Sequence, residues 1–241
     1  SLDDQNNDIY SNSWGPPDGH KTWAYSVTGP GPITVAAFES DFSTGRNGYG
    51  NVISWAGGNG GTANDNSNYD GYANARQTIA VGAIGNDGIQ SSYSESGANI
   101  LVVAHSNGGT LGIHTADIPG NAGYTAGDFT SNFGGTSSAC PLVSGVSALI
   151  LDVDPTLTAR DVMGILANSA RKNDASDSSW STNGAGHEIS HKYGFGAADA
   201  HAAVTLAANW TKLQTESSFG TSISSPGTAI PDNGAPVTDT I

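Results

Sequence analysis

The stretch Phe133-Gly134-Gly135-Thr136-Ser137-Ser138-Ala139-Cys140-Pro141 has the residue types to do chemistry. Its glycines admit a tight turn. The apolar run from Leu142 through Leu151 reads as the helix that this turn opens. A hydroxyl at such a place faces unpaired N–H groups and the positive end of a helix dipole. In acyl transfer those groups would meet the developing oxyanion, with Ser137 as nucleophile. Taken alone, Gly-Thr-Ser is more often an ordinary N-cap on a buried helix, so the rest of the chain must decide.

The elements that would position Ser137 can be read in order. Asp8 through Trp14 is a short strand, stopped by Gly15-Pro16-Pro17-Asp18-Gly19. Ile33 through Phe42 suits a helix, and Arg46 through Gly50 a loop. Asn51–Ala56, Thr78–Ile84 and Asn99–Ala104 are continuous apolar runs bounded by turn residues, as in strands buried on both faces. The glycine-rich connection from Ser106 to Asn132 reads as surface loops. Thr158 and Asp161 form a capping-box pair before Val162, Met163, Ile165 and Leu166 at helical spacing. Ala197 through Ala208 reads as a further helix. Alternating strands and helices predict a three-layer α/β fold with a mostly parallel sheet.

Composition narrows the function classes. The 241 residues carry 8 basic and 22 acidic side chains, a net charge of −14. Nucleic acid and anionic membrane both need a basic face, so neither fits as a partner. Cationic substrates and calcium do fit. No run of 18 apolar residues predicts a membrane span, and no signal-peptide pattern opens the chain. Ser1-Leu2-Asp3-Asp4 does not read as a natural start. The single cysteine, Cys140, reads as a small buried residue. Past Thr211 the chain turns rich in Ser, Gly, Thr and Pro and loses helical periodicity, as a linker would.

Five ordered segments carry a resemblance: Tyr10-Ser11-Asn12-Ser13-Trp14-Gly15-Pro16; Ser54-Trp55-Ala56-Gly57-Gly58-Asn59-Gly60-Gly61; Asn68-Tyr69-Asp70-Gly71-Tyr72; Tyr93-Ser94-Glu95; and Gly135-Thr136-Ser137. Ser190-His191-Lys192-Tyr193-Gly194-Phe195-Gly196 and Asn209-Trp210 follow. With these, the sequence resembles the subtilisin-like serine proteases, within them the kexin/furin branch of proprotein convertases. The resemblance implies a subtilisin-like peptidase domain over residues 1–210, a linker over 211–226, and over 227–241 the start of a β-sandwich P domain, around Ala229-Ile230-Pro231-Asp232-Asn233-Gly234.

It also implies roles. Ser137 is the nucleophile and Asn59 the side-chain oxyanion donor; without that frame, Asn59 is a turn asparagine among glycines. Ser13, Trp14 and Gly15 are the strand that pairs with an extended substrate. Ala56, Gly57 and Gly58 form the opposite wall of the specificity pocket. Asp18 and Asp70 receive the basic residue before the scissile bond through charge-assisted hydrogen bonds, though each precedes a glycine and suits a turn. Tyr72 lines the groove. Asp18, Asp65 and Glu95 match three carboxylates that hold calcium.

The family's base is a histidine oriented by an aspartate, in the chain order Asp…His…Ser, a system that also serves as a standard worked case of the triad. His20, His105, His114, His187, His191 and His201 all lack the His-Gly-Thr context. The resemblance therefore covers the C-terminal two-thirds of a catalytic domain. The chain alone is expected to be inactive, its partner being an N-terminal segment with the catalytic Asp and His. Two further departures stand out. Trp23-Ala24 occupies the neighbourhood of an acid that selects more distant basic residues. Ser67, Tyr69 and Gly97 stand where the branch has cysteines, which fits a prokaryotic, exported relative. The leading expectation is a calcium-dependent serine endopeptidase cleaving after Arg or Lys, including dibasic sites. A subtilisin-like protease without basic preference and a non-catalytic calcium-binding pseudoprotease are the alternatives.

Overall fold

A computed structural model describes residues 6–18 and 28–216. The expected P-domain start, residues 217–226 of the linker, His20 and the Trp23-Ala24 neighbourhood lie outside the described residues.

Four strands make one parallel sheet in the order β1-β2-β3-β4: Ile9–Asn12, Val52–Ala56, Thr78–Ile84 and Ile100–His105. Asn12 lies beside Trp55 and Ala56 beside Val81, so the strands end together at one rim. Every residue of β2 is buried. Its apolar run has no alternation because both faces are covered. Val52, Val81 and Val102 face helices α2 (Thr136–Val153), α3 (Ala159–Ser169) and α4 (Ala200–Ala207). Ile53, Trp55 and Val103 face Phe38 of helix α1 (Pro32–Gly48), with Tyr72 and Tyr193. The result is the three-layer arrangement that the sequence predicts.

Helix α1 begins with proline, whose missing N–H is no loss at that position. Its last turn departs from helical geometry at Gly45, and Arg46 and Asn47 are left-handed (φ 51° and 57°), matching the expected loop. Gly50 closes it at φ +80°, where a Cβ would lie 2.3 Å from the Phe42 carbonyl. The capping box of α3 is present in both directions. Helix α4 is shorter than expected, because Ala197 is extended and bridges Val103 and Arg171. A small hairpin, β7 (Ser181–Thr182) with β8 (Glu188–Ile189), precedes it.

One expectation is corrected. The Ser106–Asn132 stretch is not all loop: β5 (Ile113–Ala116) pairs antiparallel with β6 (Phe129–Phe133). Glycines and hydroxyl residues hide the strands, and pairing of the two segments, rather than burial, holds them. Asp117 N–H donates to Asp128 O (2.8 Å), and its carboxylate accepts from Ile118 and Thr125 N–H, which closes the loop between the strands.

Helix α2 is long and apolar enough to cross a membrane, yet half of it is buried and it packs against all four strands. It is the core helix. Pro141 inside it cannot donate to the carbonyl four residues back. That carbonyl belongs to Ser137, and the Ser13 hydroxyl takes it instead (2.9 Å).

Candidate active site

The site lies at the C-terminal ends of β1 and β2, the rim where open α/β sheets bind ligands. Strand β6 runs through Gly134 and Gly135 into α2, so a strand, a two-glycine turn and a helix place Ser137. Gly135 sits at φ 78° as the N-cap residue. Gly134 is pressed against Asn107 so closely that a Cβ would overlap the amide. Asn107 Oδ1 accepts from Gly135 N–H (3.1 Å) and from the Tyr93 hydroxyl (2.7 Å), and Ser106 Oγ donates to Gly135 O (2.8 Å). Asn107 and Ser106 were not singled out from sequence. An Asn in a glycine-rich loop carries no signal until the fold sets it against the turn.

Ser137 is the second helical residue, so its N–H has no carbonyl four residues back within the helix. Asn59 stands opposite. Its Oδ1 accepts from Thr136 N–H (2.8 Å) and from the Thr136 hydroxyl (3.0 Å). These bonds occupy the amide oxygen and leave Nδ2 as the donor end of the side chain. The Asn59 side chain is thus held against the residue next to Ser137. The Ser137 hydroxyl contacts Ser13 O at 3.4 Å. Among the described residues no histidine reaches it: His105 bonds Gly85 O and His114 bonds Ser131 Oγ. Proton removal from Ser137 has no base among these groups.

Ser13-Trp14-Gly15 continues β1, and Ala56-Gly57-Gly58 continues β2. Gly57 has no room for a side chain, since a Cβ would lie 2.8 Å from Ile100 Cδ1. Trp14 is exposed and sits edge-on to Trp55 (4.6 Å) and Tyr72 (5.2 Å). Asp70 lies beneath Gly15: its Oδ2 is 2.9 Å from where a Gly15 Cβ would be. Its carboxylate accepts from Tyr72 N–H at Oδ1 (2.8 Å) and from the backbone of Ala73. Burial raises the Asp70 carboxyl above its ordinary value, and the charges of Asp18 and Asp65 add to that. Asp18 Oδ2 accepts from Asn59 N–H (2.8 Å). Desolvation also raises Asp18, although solvent reaches it, which weakens the effect.

Glu95 is 3% exposed and accepts from Gly60 N–H (2.9 Å). Burial pushes its carboxyl up to about 8, and Asp65, Asp18 and Asp70 all push the same way. A Cβ on Gly58 would lie 2.4 Å from this carboxyl, so the Gly58 backbone and the acid are packed together. Among the described residues, Asp18, Asp65 and Glu95 do not close into a ready ligand group. Their chemistry still fits a hard cation: oxygen donors from separate loops that repel one another.

The Subtilase family model matches residues 1–196. Proprotein convertase subtilisin/kexin type 7 of Homo sapiens is 40% identical over 233 residues, covering 95% of this chain and 28% of that protein. Furin-like protease 1 of Drosophila melanogaster is 38% identical over 212 residues, covering 87% of this chain and 18% of the relative in its 1-CRR isoform. The chain thus spans less than a third of the length of these relatives. Among solved structures, the serine protease of Aeromonas sobria superposes with a TM-score of 0.74 at 26% identity, over 87% of this chain and 45% of that one.

Proposed function

The chain belongs to the subtilase family, and from that footing we propose that it carries the nucleophile and specificity pocket of a calcium-dependent serine endopeptidase cleaving after Arg or Lys. The observation that supports this reading is the Asn59 side chain bonded to Thr136 beside Ser137, with the Asp70 carboxylate close to Gly15.

The chemistry runs as acyl transfer. Ser137 Oγ attacks the scissile carbonyl carbon, and its proton passes to a base outside the described residues. The carbonyl oxygen becomes the oxyanion, held by Ser137 N–H and Asn59 Nδ2, each such donor being worth about 10²–10³ in turnover. Collapse breaks the C–N bond, and the base returns the proton to the departing amine. Water then releases the acyl group from Ser137 by the same steps. Asp70, with Asp18, would pair with the substrate's cationic side chain, which penalises neutral side chains at that place. Asp18, Asp65 and Glu95 would hold calcium, whose positive charge offsets their mutual repulsion. An exported protein fits that reading, since extracellular calcium is millimolar and this chain is strongly acidic.

An N-terminal segment with the catalytic Asp and His is the proposed partner. Two features support it. Strand β1 is an outer strand of the parallel sheet among the described residues. Leu142, Leu149 and Val153 expose an apolar stripe on α2.

The test is labelling of the native protein with a fluorophosphonate, with and without calcium, followed by cleavage of peptides varied at the residue before the scissile bond. Calcium-dependent labelling on Ser137 with preference for Arg and Lys is expected. Labelling with apolar preference would leave a general subtilisin-like protease. A folded protein that does not label with its N-terminal segment present would be a non-catalytic module.

A further inference from the structure

Gly134 and Gly135 lead into the helix that carries Ser137, and that helix has no side-chain cap at its N-cap residue. Gly135 takes φ 78° and ψ 169°, one conformation among the many open to glycine. The turn's own sequence does not select it. A reacting hydroxyl must be held to within about 0.5 Å of its productive place, so the selection has to come from elsewhere in the fold.

Two consecutive residues after β4 hold both backbone groups of Gly135. Asn107 Oδ1 accepts its N–H (3.1 Å), and Ser106 Oγ donates to its carbonyl (2.8 Å). The Asn107 amide also fills the space beside Gly134. A Cβ there would lie 1.9 Å from Oδ1, 2.0 Å from Cγ and 2.4 Å from Nδ2, and these are the three atoms nearest that place. The amide is itself fixed. The Tyr93 hydroxyl donates to Asn107, lying 2.7 Å from Oδ1 and 2.6 Å from the backbone carbonyl. That carbonyl also accepts from Ser91 Oγ (2.7 Å). Gly108 follows at φ +149°, where a Cβ would meet Ser91 Oγ at 2.2 Å. The loop after β3 thus braces the loop after β4, and that loop braces the turn.

We propose that Asn107 is a positioning residue for the acyl transfer at Ser137: its side-chain amide is the template that sets the Gly134–Gly135 turn. This rests on the reading of Ser137 as the nucleophile. The Ser137 N–H is then placed between two side-chain amides, Asn59 on Thr136 and Asn107 on Gly135. Without Asn107, two unrestrained glycines precede the nucleophile. A misplacement of about 1 Å costs on the order of 10²-fold in rate. The loss falls on kcat, because the residues proposed to bind substrate, Ser13–Gly15 and Asp70, lie on other segments.

The experiment uses the catalytically competent full-length protein in calcium, with kcat expressed per site titrated to completion by a fluorophosphonate. Asn107→Ala should lower kcat about 10²-fold and leave KM for an Arg peptide nearly unchanged. Asn107→Asp keeps an oxygen for Gly135 N–H and for Tyr93. It should recover most of that loss on the alkaline plateau of its pH profile. Tyr93→Phe, which frees the amide to turn, should lower kcat by about 2- to 10-fold, the worth of one neutral hydrogen bond. Wild-type kcat per titrated site in Asn107→Ala, whatever its Tm, would make Asn107 a support of the fold alone and overturn the proposal. Equal losses in Asn107→Ala and Asn107→Asp would also overturn it. Should Asn107→Ala not fold, an unchanged kcat in Tyr93→Phe would do the same. A wild-type protein that neither labels at Ser137 nor cleaves any peptide would defeat the nucleophile reading itself, and the proposal with it.

Discussion

Replacing Asn59 separates catalysis from support. In Asn59→Ala the Nδ2 donor is lost, and with it about 10²–10³ in kcat, equivalent to about 2.7–4 kcal/mol of transition-state binding. The same change removes the two bonds that Oδ1 accepts from Thr136, at 2.8 and 3.0 Å. At about 0.5–1.5 kcal/mol each, these contribute about 1–3 kcal/mol to stability. Tm should fall by about 2–4 °C per kcal/mol for a domain of this size. In Asn59→Asp a carboxylate retains the acceptors but offers no donor. Its kcat should drop at least as far, with a smaller loss of Tm. The assay is steady-state cleavage of an Arg-containing fluorogenic peptide beside thermal unfolding, both in calcium. KM should stay nearly constant, because the donor acts on the oxyanion and not on the ground-state carbonyl. The reasoning fails if Asn59→Asp keeps wild-type kcat, or if both variants lose activity only in proportion to unfolded protein.

Other outcomes follow from the same geometry. Asp70→Asn should cut cleavage after Arg by about two orders of magnitude while sparing cleavage after Leu, read as kcat/KM on paired peptides. Glu95, with its pKa raised to about 8, favours the protonated form in the fold. The Glu95 contribution to the metal-free fold should therefore be fully present below about pH 4.5 and be lost as pH rises to about 8, while calcium should raise Tm most at the alkaline end; a metal-free Tm whose fall between those pH values is the same in Glu95→Gln would contradict this. Asp161 is fully buried; burial alone would raise its carboxyl, but N–H and hydroxyl bonds from Leu213, Thr158 and Trp210 outweigh that and lower it. Its contribution is present above about pH 4 and lost as pH falls further, and Asp161→Ala should cost about 2–4 kcal/mol in denaturant unfolding by removing the carboxylate that accepts from Thr158 at the α3 cap and from Trp210 and Leu213 together. Gly164→Ala should destabilise by about 1–3 kcal/mol, since its Cβ would sit 2.9 Å from Trp210 Cζ2.

The strands, the α3 cap and the place of the nucleophile were legible because each is written locally. Thr78–Ile84 is apolar without a break, so it could only be a strand buried on both faces, and its bounds match. Thr158 and Asp161 sit three apart, which is all that a capping box needs. The β5–β6 pair was illegible because its stability comes from pairing across twelve intervening residues, not from a periodic apolar face.

Sequence by itself determined that Ser137 opens an apolar helix behind two glycines, and that acids and small residues recur in subtilase order. Only the tertiary structure decided what those residues do to one another. It turned the Asn59 amide by pinning its oxygen on Thr136, set Asn107 behind Gly134, freed the Ser137 carbonyl for Ser13 through Pro141, and buried Glu95 against Gly58 among three other carboxylates. The physical reason is that donor direction and desolvation depend on what lies within a few ångströms in space, and here those neighbours come from positions as much as 124 residues apart in the chain.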